Sequence, residues 1–142
     1  MTARDVSDSA RTATAVTLAA IGALHVAWGL GSSFPFRDRA TLAARVVGND
    51  EVPGPGASFA VAGLLTVAAA LVADVTPLPA PIRRVGVGGV AAVLATRAAF
   101  GFSGMTGRLV PGSDSPRFVA LDRRVFSPLC TALAAGALWS AR

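Results

Sequence analysis

Lysine and tyrosine are absent from this chain, histidine and cysteine occur once each, and no charged residue enters three of its four long apolar runs. Each absence excludes something. A single Cys130 permits no intramolecular disulfide and removes dithiol Cys-x-x-Cys redox chemistry. One His and one Cys on separate segments are too few ligands for a metal or haem, so no cofactor is expected. No Asp or Glu lies within an apolar run, which leaves a drug or ion transporter as a third and poorer reading, because small proton-coupled exporters need a titratable carboxylate deep in a span. All thirteen basic residues are Arg, and the Ala/Val/Gly/Arg-rich composition reflects a GC-rich coding bias rather than a requirement for guanidinium.

What the chain has in quantity is apolar sequence. Hydrophobic residues make up 53% and charged residues 15%, against the roughly 25% charged residues usual in soluble domains. The apolar runs are Thr12–Gly31, Val52–Ala73, Val85–Gly107 (interrupted only by Arg97) and Val125–Ala141. A bilayer core of about 30 Å takes about 20 such residues in a helix. The expected architecture is all-α: an integral membrane antiparallel four-helix bundle forming a single domain. Its spans fall at about 12–31, 54–73, 82–102 and 118–141, in a multi-pass protein of the cell membrane. The net charge of +5 does not point to nucleic acid, because the Arg residues sit in short connections where anionic lipid headgroups attract them. The first run exceeds the 7–15 residues of a signal-peptide apolar region and is read as a retained helix.

Local signals set the boundaries. Residues 1–11 read as a polar tail, with Ser9 or Thr12 as the first helix cap. Residues 40–47 read as an amphipathic turn or two at the interface. Pro53-Gly54-Pro55-Gly56 opens the second span, because proline is tolerated in a helix's first turn. Three prolines between Asp74 and Pro81 make a tight connection. A helix beginning at Pro128 would be about 21 Å long, too short to span, so the fourth helix is expected to begin near Arg117 or Phe118 with Pro128 inside it. There proline removes a backbone donor and crowds the Arg124 carbonyl. Orientation is left open, with five arginines on the side of the termini and seven on the other.

Few polar residues interrupt the spans, and they share one depth. His25 lies about six residues from the end of span one and Arg97 about five from the corresponding end of span three. That places both roughly 7–9 Å below one surface. Asp122 enters from the same surface at the head of span four. Gly22, His25, Gly29 and Ser32 form a small-residue stripe with Trp28 beside it, and Gly89, Val93, Arg97, Gly101 and Gly104 form another. Small residues let helices approach in lipid, so both stripes are expected to face the bundle interior, where Arg97 needs a partner and Asp122 is the carboxylate at matching depth.

Each residue also has a plainer reading. Arg97 can snorkel to the headgroups, His25 can bond a neighbouring backbone, Trp28 can belong to an aromatic belt, and Asp122 can be a capping charge. Cys130 reads as a packing residue.

The stretch His25-Val26-Ala27-Trp28-Gly29-Leu30-Gly31 resembles the His-x-x-Trp-x-x-Gly segment of small bacterial membrane proteins grouped as domain of unknown function 3995. Residues 118–130, with Asp122 followed by Ser127-Pro128-Leu129-Cys130, are similar to that family's Phe-Ala-x-x-Asp-x-x-x-aromatic-Ser-Pro-Leu-Cys segment, the more specific of the two matches. Arg97 falls where the family carries an Arg in its third span. The family usually has Tyr where Phe126 stands and Trp where Leu121 stands, so no role needing that hydroxyl is carried over. The resemblance implies four membrane spans and no established activity.

Two functions follow. In one, an amphiphile such as a prenyl lipid, a sterol-like molecule or a quinone lies among the helices. Its polar or anionic head is held by Arg97, with His25 as acid or base near neutral pH. The ligand-binding residues are then His25, Trp28, Arg97 and Asp122, with Arg123, Arg124 and Ser127 behind them. In the other, the chain is a non-catalytic accessory protein whose polar cluster fixes helix register. The expected partners are membrane lipid and a small amphiphilic ligand. The sequence leaves open whether the protein is an enzyme and what its oligomeric state is.

Overall fold

The first helix begins earlier than the polar residues at its start suggest. In the computed structural model, which describes residues 2–141, helix α1 spans Ala3–Gly29. Thr2 caps it: its hydroxyl accepts from the Asp5 backbone N–H, and the Asp5 side chain accepts from the Thr2 backbone N–H. This reciprocal cap satisfies two donors that a helix start otherwise leaves open. An Arg11–Asp8 ion pair at 2.8 Å spans a turn farther along the same helix. The expectation of a polar tail with a cap at Ser9 or Thr12 is therefore corrected, because polar residues with a capping box form helix as readily as apolar ones.

After α1 the chain turns through Gly31 into a short helix α2, Arg39–Leu42, capped by Asp38 and continued by a π turn at Ala43–Val47. Leu42 and Ala43 are fully buried, so this connection packs down onto the bundle by an apolar face. Helix α3 runs Pro55–Ala73, with proline in its first turn and Asp74 closing it in the left-handed conformation at φ 62°. Arg83 holds that corner, 2.8 Å from the Asp74 carboxylate. Helix α4 spans Ala80–Ser103 and ends on Gly104.

The fourth helical run is continuous but not uniform. Helix α5, Pro116–Leu121, passes into a π turn at Asp122–Phe126 and then into helix α6, Ser127–Ser140. Ser115 caps its start, accepting from the Phe118 N–H. Pro128 is interior, as the length argument requires, and the wide turn lies immediately before it. The Ser127 N–H reaches back five residues to the Asp122 carbonyl. A bulge of this kind is a usual accommodation of a residue that cannot continue the i→i−4 ladder.

Among the described residues the chain is all-helical, without strands. Three helical segments, Arg4–Gly29, Pro55–Ala73 and Ala80–Ser103, are long and apolar enough to cross a membrane. Helix α1 packs against α3 and α6, and α4 packs against α6 and, more thinly, α3. One half of the bundle is an apolar core of small and branched residues, with Leu18, Val72, Val87 and Ala137 at its centre. Large apolar side chains such as Leu64, Val85 and Val93 point outward and are 70–77% exposed, an inside-out distribution suited to hydrocarbon rather than water.

The two small-residue stripes behave differently. Gly22 and Gly29 lie against α3, over Leu65 and Phe59. On α4 the stripe does not face the interior along its length. Gly89 has open space above it and Val93 is exposed, and the stripe turns inward only at Arg97 and Gly101. The inner face of α4 is filled instead by Val87, Ala91 and Ala98.

Candidate functional site

Asp122 organises the other half of the bundle. Its side chain is 1% exposed and bonded on both oxygens. Arg97 grips it from α4, with Nη2 2.9 Å from Oδ1 and Nη1 3.2 Å from Oδ2. Thr106, in the 3₁₀ turn Thr106–Arg108 after α4, donates to Oδ2 at 2.6 Å. Ser127 donates to Oδ1 at 3.2 Å. A carboxylate offers about four lone-pair positions, and here all four are used, two on each oxygen. Every acceptor position of this buried carboxylate is therefore filled, and the Arg97 guanidinium lies directly opposite it.

The backbone makes room for this network at one point. A side-chain carbon on Gly101 would meet Ser127 Oγ, Arg97 Nη1 and Asp122 Oδ1 together. Glycine at 101 is thus a condition of the pair forming, and the small-residue stripe on α4 finds its use here rather than in helix–helix contact.

His25 and Trp28 sit across from this pair on α1. His25 Nδ1 lies 2.8 Å from the Ile21 carbonyl. A carbonyl only accepts, so Nδ1 carries the proton, and in the neutral ring Nε2 is left as an acceptor. The two rings are in contact, with centroids 4.8 Å apart. Trp28 is only 9% exposed, and its Nε1–H donates to the Phe34 carbonyl at 2.7 Å. It is an inward residue that ties the first connection to α1, not a member of an outer aromatic belt.

Between these groups lies a cavity of about 220 Å³. His25 and Trp28 line it from α1, Ser58 and Val61 from α3, Arg97 from α4, and Phe118 from α5. The first connection roofs it with Leu42, Val46 and Val47, and the loop before α5 adds Val110 and Ser113. Asp122 does not line it, standing behind Arg97, and no carboxylate does. Ser113 is 2% exposed, and its Oγ is buried without a hydrogen-bond partner.

Three of the expected residues, His25, Trp28 and Arg97, thus share one cavity, and Asp122 with Ser127 braces it from behind. Arg123 and Arg124 lie elsewhere. Arg123 donates to the Phe102 and Ser103 carbonyls at 3.1 and 3.2 Å, capping the end of α4. Arg124 is exposed, beside Arg45 and Arg117 on a separate surface groove. The π turn widens the helix between Asp122 and Ser127 and leaves the two arginines directed away from the cavity.

Sequence reasoning missed Thr106, Ser113 and Phe118. A buried Asp with one Arg still has lone pairs to fill, which calls for a nearby hydroxyl, but nothing in the spacing selects Thr106. Among the described residues no three His, Cys, Asp or Glu side chains gather as a metal site.

No curated protein and no solved structure matches this chain. Residues 18–137 match the profile of the family described as protein of unknown function (DUF3995), and the chain belongs to that family.

Proposed function

We propose that the protein is a four-span antiparallel bundle of the cell membrane that holds a small amphiphile in the cavity between His25, Trp28 and Arg97. The observation that carries this reading is the cavity itself, which combines apolar walls with a buried, unpartnered Ser113 hydroxyl. Ligand sites are mostly apolar with a few placed polar groups, and leaving a buried hydroxyl unbonded costs about 1–3 kcal/mol. A cavity of about 150 Å³ accepts a benzene-sized molecule, so this one suits a single substituted ring or a short branched chain, with a longer tail leaving toward lipid.

The head of that ligand is polar and uncharged. Arg97 has its charge matched by Asp122 at 2.9 Å, so the site offers no net positive charge to an anion. Its remaining N–H groups, the Ser113 hydroxyl and His25 Nε2 offer donors and an acceptor, which suits a hydroxyl or carbonyl head. The transporter reading loses ground, because no carboxylate lines the cavity.

The saturation of Asp122 also favours the accessory-protein reading, in which the network fixes α4 against the Pro116–Ser140 run and the cavity holds only bulk lipid. Mass spectrometry of the lipid extract from purified protein separates the two. A defined amphiphile, retained by wild type and lost in His25→Ala and in a cavity-filling Val61→Trp variant, supports the site. Identical bulk lipid in all three supports the accessory role.

A further inference from the structure

We infer that the groove formed by Arg45, Arg117 and Arg124 is a docking site for the headgroup of an anionic phospholipid, separate from the cavity inside the bundle. The groove has a volume of about 320 Å³ and is walled by these three arginines, with Ala120 and Leu121 as its floor. Positions 117, 120, 121 and 124 follow the i, i+3, i+4, i+7 spacing of one helix face. Arg45 comes from the π turn Ala43–Val47, which packs on α5.

Other exposed arginines of this chain, such as Arg108, also lack partners among the described residues; what sets the groove apart is that three of them line one depression. Arg11, Arg83 and Arg97 each pair with a carboxylate, and Arg39 and Arg123 each bond backbone carbonyls. Arg45, Arg117 and Arg124 are exposed, and among the described residues none of them has an ion pair or hydrogen bond. No acidic residue lines the groove. Three like charges around one depression repel one another unless an anion sits between them. Guanidinium groups suit phosphate, which they grip through paired N–H bonds.

The apolar floor selects a lipid over a free phosphate ion. Ala120 and Leu121 give nothing to a bare anion. Farther along the same helical run, Val125 and Leu129 are 47% and 37% exposed, so an acyl chain attached to the phosphate has an apolar surface to follow. The inference rests on the membrane placement of the bundle but not on any ligand in the cavity.

Native mass spectrometry tests it, on the full chain in detergent with equal amounts of phosphatidylglycerol and phosphatidylcholine of matched acyl chains. Wild type is expected to retain the anionic phosphatidylglycerol preferentially. Each of Arg45→Gln, Arg117→Gln and Arg124→Gln should lower that preference by about fivefold, the contribution of one arginine at an anionic surface. Arg108→Gln, which removes an exposed arginine outside the groove, should leave the preference within about twofold, well short of that single-arginine effect. These side chains have no partners to lose, so thermal midpoints should not move; Arg117→Lys, which keeps the charge, should retain most of the preference. Survival of the preference in the triple variant overturns the site, as does an equal loss in Arg108→Gln. Stripping of the lipid by excess inorganic phosphate would reassign the groove to a free anion and overturn the lipid assignment.

Discussion

Ser127 stands five positions after Asp122, yet its Oγ donates to Asp122 Oδ1 at 3.2 Å. In a regular α-helix residues five apart are rotated by roughly 140° and face different neighbours. The π turn at Asp122–Phe126 brings them to one face. The backbone irregularity that accommodates Pro128 is therefore also what completes the shell around the buried carboxylate. Bulges of this kind recur at functional sites, and here the reason is geometric: the wide turn lets one helix supply both an acid and its hydroxyl partner.

The Arg97–Asp122 pair should behave as a unit. Arg97→Ala leaves a carboxylate that is 1% exposed without its counter-charge, and removing one partner of a buried pair costs about 3–5 kcal/mol. Asp122→Ala should cost a similar amount, leaving Arg97, Thr106 and Ser127 unsatisfied. The double variant should lose little more than either single one. Thermal midpoints of the detergent-solubilised proteins check this, and additive losses would mean that each residue acts alone.

Gly101→Ala should destabilise by about 1–3 kcal/mol through overpacking, because the added methyl meets Ser127, Arg97 and Asp122 together. Gly89→Ala on the same helix meets nothing within 4 Å and should be neutral or stabilising by about 0.5–1 kcal/mol from helix propensity. The contrast between two alanines on one helix isolates the network from helix propensity. Equal effects on the thermal midpoint would remove Gly101 from the site.

The sequence made much of this legible. Apolar runs of membrane length, the proline-opened α3 and the interior position of Pro128 all follow from length and backbone chemistry. The Arg97–Asp122 pair followed from shared depth, the expected inward facing of the stripe at Arg97 and the want of another carboxylate at that depth. The start of α1 was missed because polarity was weighed above the Thr2–Asp5 cap. The face presented by α4 was misread because glycines signal close approach without saying to what; at Gly101 the neighbour is a side-chain network, not a helix. Thr106 and Ser113 come from a turn and a loop, which carry no periodicity to project them onto the site, and Phe118 comes from α5, whose six residues are too few to show a face.

Asp38 provides a local response to acid. Its carboxylate accepts the Thr41 backbone N–H at 2.7 Å, which holds its pKa below the ordinary carboxylate value. A group with a lowered folded-state pKa contributes stability above its unfolded pKa of about 3.9 and loses it as pH falls through the folded value. Amide exchange at Leu42, whose N–H bonds the Asp38 carbonyl at 3.1 Å, taken relative to its intrinsic rate at each pH, should therefore accelerate only in acid. Asp38→Asn keeps a good cap without a titrating group and should flatten that dependence. The same acceleration in Asp38→Asn would place the titrating group elsewhere.

Ser113→Ala separates a binding cavity from a packing defect. The Ser113 Oγ is buried with no partner in the free protein, so replacing it by a methyl removes an unsatisfied polar group rather than a bond. Stability should rise by up to about 1–3 kcal/mol, the usual cost of leaving such a group unpaired. Retention of a ring-sized amphiphile with a hydroxyl or carbonyl head should fall, by about five- to tenfold for one lost neutral hydrogen bond. An octylphenol probe and its hydrocarbon counterpart octylbenzene make the comparison direct, since only the first has a head for Ser113 to bond. If both probes bind wild type and Ser113→Ala alike, the head does not reach this hydroxyl. If neither stabilises the wild-type protein at all, the cavity between His25, Trp28 and Arg97 is unfilled space in a packing module. The opposite movement of stability and affinity in one substitution is the signature that structural roles alone do not produce.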